Sequence, residues 1–350
     1  MLKITFINVG YGESILLETG ENNSKTVILI DGGSGDDAEY NSGSEGTTCT
    51  GRIRTKDYLS KRGIDVLDIA IVTHAHEDHV CGLEQFAAAG GRIKKLLTVR
   101  KLPQNRGELA TDWIRDSGTR NFFAALNSYS RLLAMMEEQG AEVIEIDDRT
   151  GTLRLAEDLD GEILAPSFER AEELFNRITV LYRGTQDPVF MAAAEALGAD
   201  LNDYSLVLML CYKGGKFLLP GDAAPERLFS DICFRKALAA GKLQAQMLKL
   251  AHHGQADSVN ETFIKAVSPS LVVTCASSDR RYQSANPFVY TLIEDCMSQK
   301  GIKPVFLFSD CIDDNPWDYA AFPRKRVEIT MDGESTGFCY IPTVIRNKNE

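Results

Sequence analysis

The sequence predicts an α/β fold in which two β-sheets pack together beneath outer helices. Short strand-like runs occur in both halves of the chain, and segments with helical spacing lie between them. Several strand runs are apolar throughout, as strands covered on both faces are. At 350 residues and 44% hydrophobic composition, the chain carries enough apolar material for a large core. No short repeat or low-complexity tract interrupts it, so one ordered domain over residues 1–350 is expected.

The elements follow in order. KITFINV is a strand, GYGE a tight turn and SILLET a second strand; after the loop GENNSK, TVILIDGG is a third. The chain therefore opens as a β-meander. Residues 34–51, polar and rich in Gly and Ser, are expected to form a mobile loop, and 52–62 a short helix. IDVLDIAIVTH is a nearly continuous apolar run that suits a buried strand. GLEQFAAAG then suits a short helix and IKKLLTVR a strand. Residues 103–140 and 167–198 have helical character and suggest a helical insertion at about 103–200; within it, FFAALNSYSRLLAMMEEQG packs over the core and stops at Gly140.

SLVLMLCYKGGKFLLPGD is a hairpin ending at Asp222. APERLFSDICFRKALAAG is helical, with Pro225 near its start. QMLKLAHHG and LVVTCAS are strands, and NPFVYTLIEDCMSQKG is a helix entered at Pro287 and left at Gly301. VFLFSD, KRVEITMD and GFCYIP close the fold as strands. The charged run PRKRVEI reads as a solvated sheet edge that blocks edge pairing.

Composition narrows the function. A formal net charge of −12 repels polyphosphate at long range and disfavours a nucleic-acid-coating role. MLKITFINVG carries no signal-peptide pattern, and no run of about 18 apolar residues suggests a membrane span. The eight cysteines lack C-x-x-C spacing and read as free thiols of a cytoplasmic protein.

Three apolar strands end in metal-capable residues: His74 onward, Asp222, and His252 with His253. All five histidines fall in two of these clusters. Just past a strand end, His74 and His76 can aim at one point, and Asp78 and His79 at a neighbouring one. A single metal cannot comfortably take all four from so short a segment, whereas two metals can. Asp222 is the natural bridging carboxylate, and His252 and His253 complete the second position. Two imidazoles plus carboxylates at each position suit zinc first, then manganese or iron.

THAHEDH resembles the signature of the metallo-β-lactamase superfamily. FINVGYGESILLE, ILIDGG, DYSLVLMLCYKGGKFLLPGDA and LKLAHHG resemble, in order, landmarks of the hydrolase domain of competence-type DNA-uptake channel proteins. The resemblance spans residues 3 to about 295, with 100–200 poorly matched. It implies an αββα four-layer sandwich with a dinuclear centre at one edge. By position, it implies His74 and His76 on the first metal, with Asp78, His79 and either His252 or His253 on the second. Asp222 would bridge, and the remaining histidine would face the substrate or act as an acid. Asp78 and His253 are the candidate catalytic groups.

The chain departs from that pattern in three places. Many members supply a further first-metal histidine, yet residues 80–251 contain none. Asn286 stands where relatives tend to have histidine, and Asn8 where they usually have aspartate. The resemblance also brings the loop with Arg280, Arg281 and Tyr282 toward the centre, and arginine suits phosphate oxygens. Arg280, Arg281, Tyr282 and Asn286 are therefore the candidate substrate-binding residues. The leading expectation is hydrolysis of a small-molecule or nucleotide-like phosphodiester. Alternatives are a lactone, thioester or β-lactam hydrolase, and a metal-binding sensor or scaffold.

Overall fold

The computed structural model describes residues 1–20, 25–41, 51–103, 107–183, 188–312, 315–318, 323–332 and 335–342. Strands β1 (Leu2–Ile7), β2 (Ile15–Thr19), β3 (Thr26–Ile30), β4 (Val66–Val72), β5 (Arg92–Thr98) and β6 (Glu142–Glu145) run in order across the first sheet. The remaining strands are β7 (Thr152–Ala156), β8 (Leu159–Ala165), β9 (Val207–Tyr212), β10 (Gly215–Leu219), β11 (Met247–Lys249), β12 (Leu271–Thr274), β13 (Val305–Phe308), β14 (Arg324–Met331) and β15 (Thr336–Pro342). β14 and β15 extend the first sheet beyond β1, and β7 to β13 form the second. β3 to β6 pair in parallel, as do β10 to β13. Parallel pairing sends the ends of β3, β4, β10, β11 and β12 to a common edge, where the polar residues collect.

The helices are α1 (Asp37–Asn41), α2 (Thr55–Lys61), α3 (Glu77–Ala88), α4 (Ser117–Gln139), α5 (Phe168–Arg183), α6 (Pro188–Asp200), α7 (Pro225–Leu228), α8 (Ile232–Ala239), α9 (Glu261–Val267) and α10 (Pro287–Ser298). Period-two alternation divides the second sheet between two cores. Leu208 and Leu210 of β9 and Val273 of β12 join a core that includes Ile4, Ile28 and Leu67 of the first sheet and Leu83 and Phe123 of α3 and α4. Val207, Met209 and Val272 instead meet Phe234, Phe263, Val289 and Ile293 of α8, α9 and α10. The result is the four-layer αββα sandwich.

Several local expectations change. Asp37–Asn41 of the predicted loop is a helix, and residues 42–50 of that loop lie outside the described residues. The helix after the histidine motif starts at Glu77 rather than Gly82, so Asp78 and His79 sit on its first turn. α4 starts only at Ser117, because Asp116 accepts the Thr119 N–H as N-cap. The 103–200 segment is not purely helical: β6, β7 and β8 lie within it and widen both sheets. The helix expected from Pro225 is two, since Asp231 caps the second through the Cys233 and Phe234 N–H groups. PRKRVEI is not an edge: β14 pairs with β1 on one side and β15 on the other. Its fully buried Arg324 donates to Asp318 at 2.8 and 2.9 Å. Seven cysteines among the described residues are free thiols. Among the described residues, no helix is long and apolar enough to cross a membrane.

One contact fixes α3 against the end of β3. Gly32 N–H donates to His79 O and Gly82 N–H to Gly33 O, so the two backbones touch. A Cβ on Gly82 would lie 1.8 Å from Gly32 O. Gly82→Ala is therefore expected to destabilise the protein by about 3 kcal/mol, the upper end of ordinary overpacking costs. Thermal and urea unfolding check this, with Gly107→Ala as a control because nothing lies within 4 Å of that position.

Candidate metal centre

The histidine motif splits because its backbone changes conformation. β4 ends at Val72, and His76 is still extended at φ −85° and ψ 159° before α3 begins. His74 and His76 thus leave an extended segment, whereas Asp78 and His79 leave a helical turn. The two pairs face neighbouring points.

Hydrogen bonds set the tautomers at the first point. Thr73 Oγ1 donates to Asp31 Oδ2 at 2.6 Å, so it can only accept from His74 Nδ1 at 3.1 Å. His76 Nε2 donates to the Gly198 carbonyl at 3.3 Å. The remaining nitrogens, His74 Nε2 and His76 Nδ1, face each other at 3.1 Å. In neutral rings both carry lone pairs, so a cation between them relieves the repulsion. Burial holds His74 well below the usual imidazole range and lowers His76 as well, which keeps both rings neutral.

A second group lies beside the first. His79 Nδ1 donates to Asp31 Oδ2 at 2.7 Å, and His253 Nδ1 donates to Cys275 O at 2.9 Å. Both rings therefore turn Nε2 inward. His253 Nε2 is 3.0 Å from Asp78 Oδ2 and 3.0 Å from Asp222 Oδ2, and His79 Nε2 is 3.2 Å from Asp222 Oδ2. Yet His253 Nε2 makes no hydrogen bond of acceptable geometry. Donor atoms of Asp78, His79, Asp222 and His253 lie within 4.8 Å of one another. They converge on a point, with His79 Nε2 also hydrogen-bonded to Asp222.

The electrostatics ask for positive charge. Burial raises the Asp78 and Asp222 carboxyls, but the neighbouring histidines outweigh it and hold both below the carboxylate range. Lys249 adds to this at Asp222. Burial also opposes charging of His79 and His253, but Asp222 and Asp78 push His79 well up and His253 to about 9. Below, buried Lys249 pairs with buried Glu13, donates to Gly221 O at 3.0 Å and lies 3.4 Å from Asp222 Oδ1. This leaves Asp222 Oδ2 for the centre.

The AHHG turn sends the two later histidines to different places. His252 and His253 are both left-handed, at φ 46° and 54°. That conformation costs about 1–2 kcal/mol per residue. The loop after β12 holds it: Ala285 N–H donates to His253 O and Asn286 N–H to Gly254 O. His253 is fully buried with the donor group, while His252 lines the adjoining cleft with Nδ1 bonded to Asp257 at 3.0 Å.

The cleft encloses about 1030 Å³, and Tyr11, His76, Asp78, Asp222, His252, Arg281 and Tyr282 are among the residues lining it. Arg281 is held by Glu39 at 2.6 Å, and exposed Tyr282 meets Tyr11 edge-on at 5.1 Å. Arg280 and Asn286 are not among its lining residues. The Asn286 side chain instead caps α10 by accepting the Phe288 N–H at 3.1 Å. Asn8 is also elsewhere, donating to Asp310 at 3.0 Å and to Arg324 O at 2.7 Å. Sequence reading missed Tyr11, Glu13, Asp31, Lys249 and Asp257. A signal existed for two of them: a charged residue inside the apolar strand LKLAHHG, and the Asp that closes TVILID.

Facing lone pairs, and a buried imidazole nitrogen set 3.0 Å from two carboxylates held ionised, make a donor set that fits divalent metals. Two outcomes follow. Asp31→Asn, which loosens the His79 ring, is expected to weaken zinc binding about 10–100-fold, read by competition with a chromophoric chelator. Because protons on His253 below about pH 9 must leave before metal binds, zinc binding should release protons and weaken as pH falls. Calorimetry in buffers of different ionisation enthalpy measures that release, and none between pH 6 and 8 would contradict it.

The model of the metallo-β-lactamase superfamily matches residues 7–277. ComE operon protein 3 of Bacillus subtilis (strain 168) is 22% identical over 302 residues, which cover 83% of this chain and 30% of that protein. The chain thus spans under a third of the length of that relative. Among solved structures, the metallo-β-lactamase fold protein YhfI of Bacillus subtilis aligns with 89% of this chain and 97% of its own, at 10% identity and a TM-score of 0.44. A diphosphatase from the PhnP family aligns with 89% and 95%, at 9% identity and a TM-score of 0.40. The family match covers most of the chain and both halves of the donor set, and the chain belongs to the metallo-β-lactamase superfamily, whose members are mostly hydrolases that bind divalent metals.

Proposed function

We propose that this protein is a metal-dependent phosphodiesterase with a dinuclear centre, acting on a small substrate. The observation that carries the reading is the pair of adjacent donor groups on one cleft. In this reading His74 and His76 hold one position, Asp78, His79 and His253 the other, and Asp222, in contact with His79 and His253, bridges to the first. Two divalent ions, zinc or manganese, would supply a hydroxide at neutral pH and charge to stabilise phosphoryl oxygens.

The chain's own groups do the rest. In its imidazolium form, with Nδ1–H donating to Asp257, His252 has Nε2–H left to give a proton to the departing oxygen. His252 thus takes the acid role, because His253 is enclosed with the metal donors. Burial and the nearby Asp78 push the Tyr11 hydroxyl far up, so it stays protonated and can donate to a substrate oxygen. Arg281 stands on the cleft wall as a partner for a phosphate oxygen. Asp36, Glu39, Glu77, Glu84, Asp116 and Glu195 also line the cleft. So acidic a wall favours a single phosphodiester group over a nucleic-acid strand.

The metal-loaded protein should hydrolyse bis-p-nitrophenyl phosphate in manganese or zinc, and inactivity on it and on a panel of small phosphodiesters would sink the proposal. His252→Ala is expected to lower kcat on diesters with alkyl leaving groups about 100-fold or more. It should change p-nitrophenyl release little, since that leaving group needs no proton. Equal losses on both substrates would remove His252 from the acid role.

A further inference from the structure

We propose that Asn202 supplies, through its side-chain Oδ1, the third terminal protein ligand at the metal position of His74 and His76. The inference rests on the dinuclear reading above and identifies what completes its weaker half.

His74 Nε2 and His76 Nδ1 give that position two nitrogens, and Asp222 is shared with its neighbour. A stable site needs at least one more donor. No histidine exists between residues 80 and 251 to provide it. The segment that passes this position is the end of α6 and the turn Leu201–Tyr204. It is tied to the centre at three points. The Gly198 carbonyl accepts from His76 Nε2 at 3.3 Å, Ser205 Oγ accepts the Asp222 N–H at 3.2 Å, and Leu206 N–H donates to Thr73 O at 3.0 Å. Asn202 lies between the first two ties and lines the same cleft as His76 and Asp222. Its Oδ1 is buried and has no hydrogen-bond partner. A buried amide oxygen left unpaired is costly, and a cation satisfies it as well as a donor does.

The chemistry of this ligand sets the character of the position. An amide oxygen is neutral and hard, and it binds a divalent ion more weakly than an imidazole nitrogen does. The two positions are therefore unequal. The one formed by Asp78, His79, Asp222 and His253 fills first and tightly, and the one completed by Asn202 fills second and tolerates Mn²⁺ well.

Metal-free full-length protein titrated with Mn²⁺, with free ion followed by electron paramagnetic resonance, tests this. The wild type should take two ions, the second more weakly. Asn202→Ala should retain the first and weaken the second about 10-fold or more, while Asn202→Asp should tighten the second by a similar factor. Asn202→His should tighten Zn²⁺ at the second position more than Mn²⁺. Circular dichroism checks folding, and if the alanine variant unfolds, the aspartate and histidine variants carry the comparison. A wild type that takes two ions, with the second unchanged in the folded Asn202 variants, would overturn the role of Asn202 and leave the dinuclear reading standing. A wild type that takes only one ion would overturn both.

Discussion

Imidazole and carboxylate lone pairs cannot face one another in a buried place unless positive charge lies among them. The edge of this sandwich is organised around that constraint. Each outward ring nitrogen is committed elsewhere: His74 to Thr73, His76 to Gly198, His79 to Asp31 and His253 to Cys275. The inward nitrogens are left with each other and with Asp78 and Asp222. Four separate parts of the fold contribute these outward partners, so the centre depends on the assembled sandwich rather than on any one loop.

The supports carry a cost that the cores must offset. Lys249 is a fully buried cation at the end of β11, and Glu13 and Asp222 hold it there. Removing one member of such a group strands the others in a low-dielectric place. Asp31, His252 and His253 all have positive φ. Residues held in this way persist only where the surroundings over-determine them, and they cluster at functional sites. Here the loop after β12 and the Gly32–Gly82 contact do the holding, while two extensive apolar cores on the faces of the second sheet supply the stability.

The cleft beside the centre has a different logic. Its wall is built from the turn after β1, α1, the start of α3, α4, α6 and the loop around Arg281. The segment between residues 103 and 200 thus contributes both strands that extend the sheets and helices that close the cleft. It was the least legible part of the chain, because its helices show ordinary amphipathic spacing and its short strands carry little alternation. β6 reads EVIE with no fully buried residue, so its identity as a strand comes from its neighbour β5.

The sequence by itself determined the strands, because continuous apolar runs such as VLDIAIV have no stable place except between layers. It determined most of the donor set too, since H-x-H-x-D-H, GD and AHHG each end such a run. It also showed that a histidine was absent. Only the tertiary structure decided which of two adjacent histidines turns inward, for that depends on left-handed backbone held by a loop more than 30 residues away. It decided that Asn8 and Asn286 serve other networks, that PRKRVEI is interior, and that Asp31, Glu13 and Lys249 underlie the centre. Those facts are long-range pairings of single polar groups, and a residue's partner across the fold leaves no periodicity in the chain for a sequence to display.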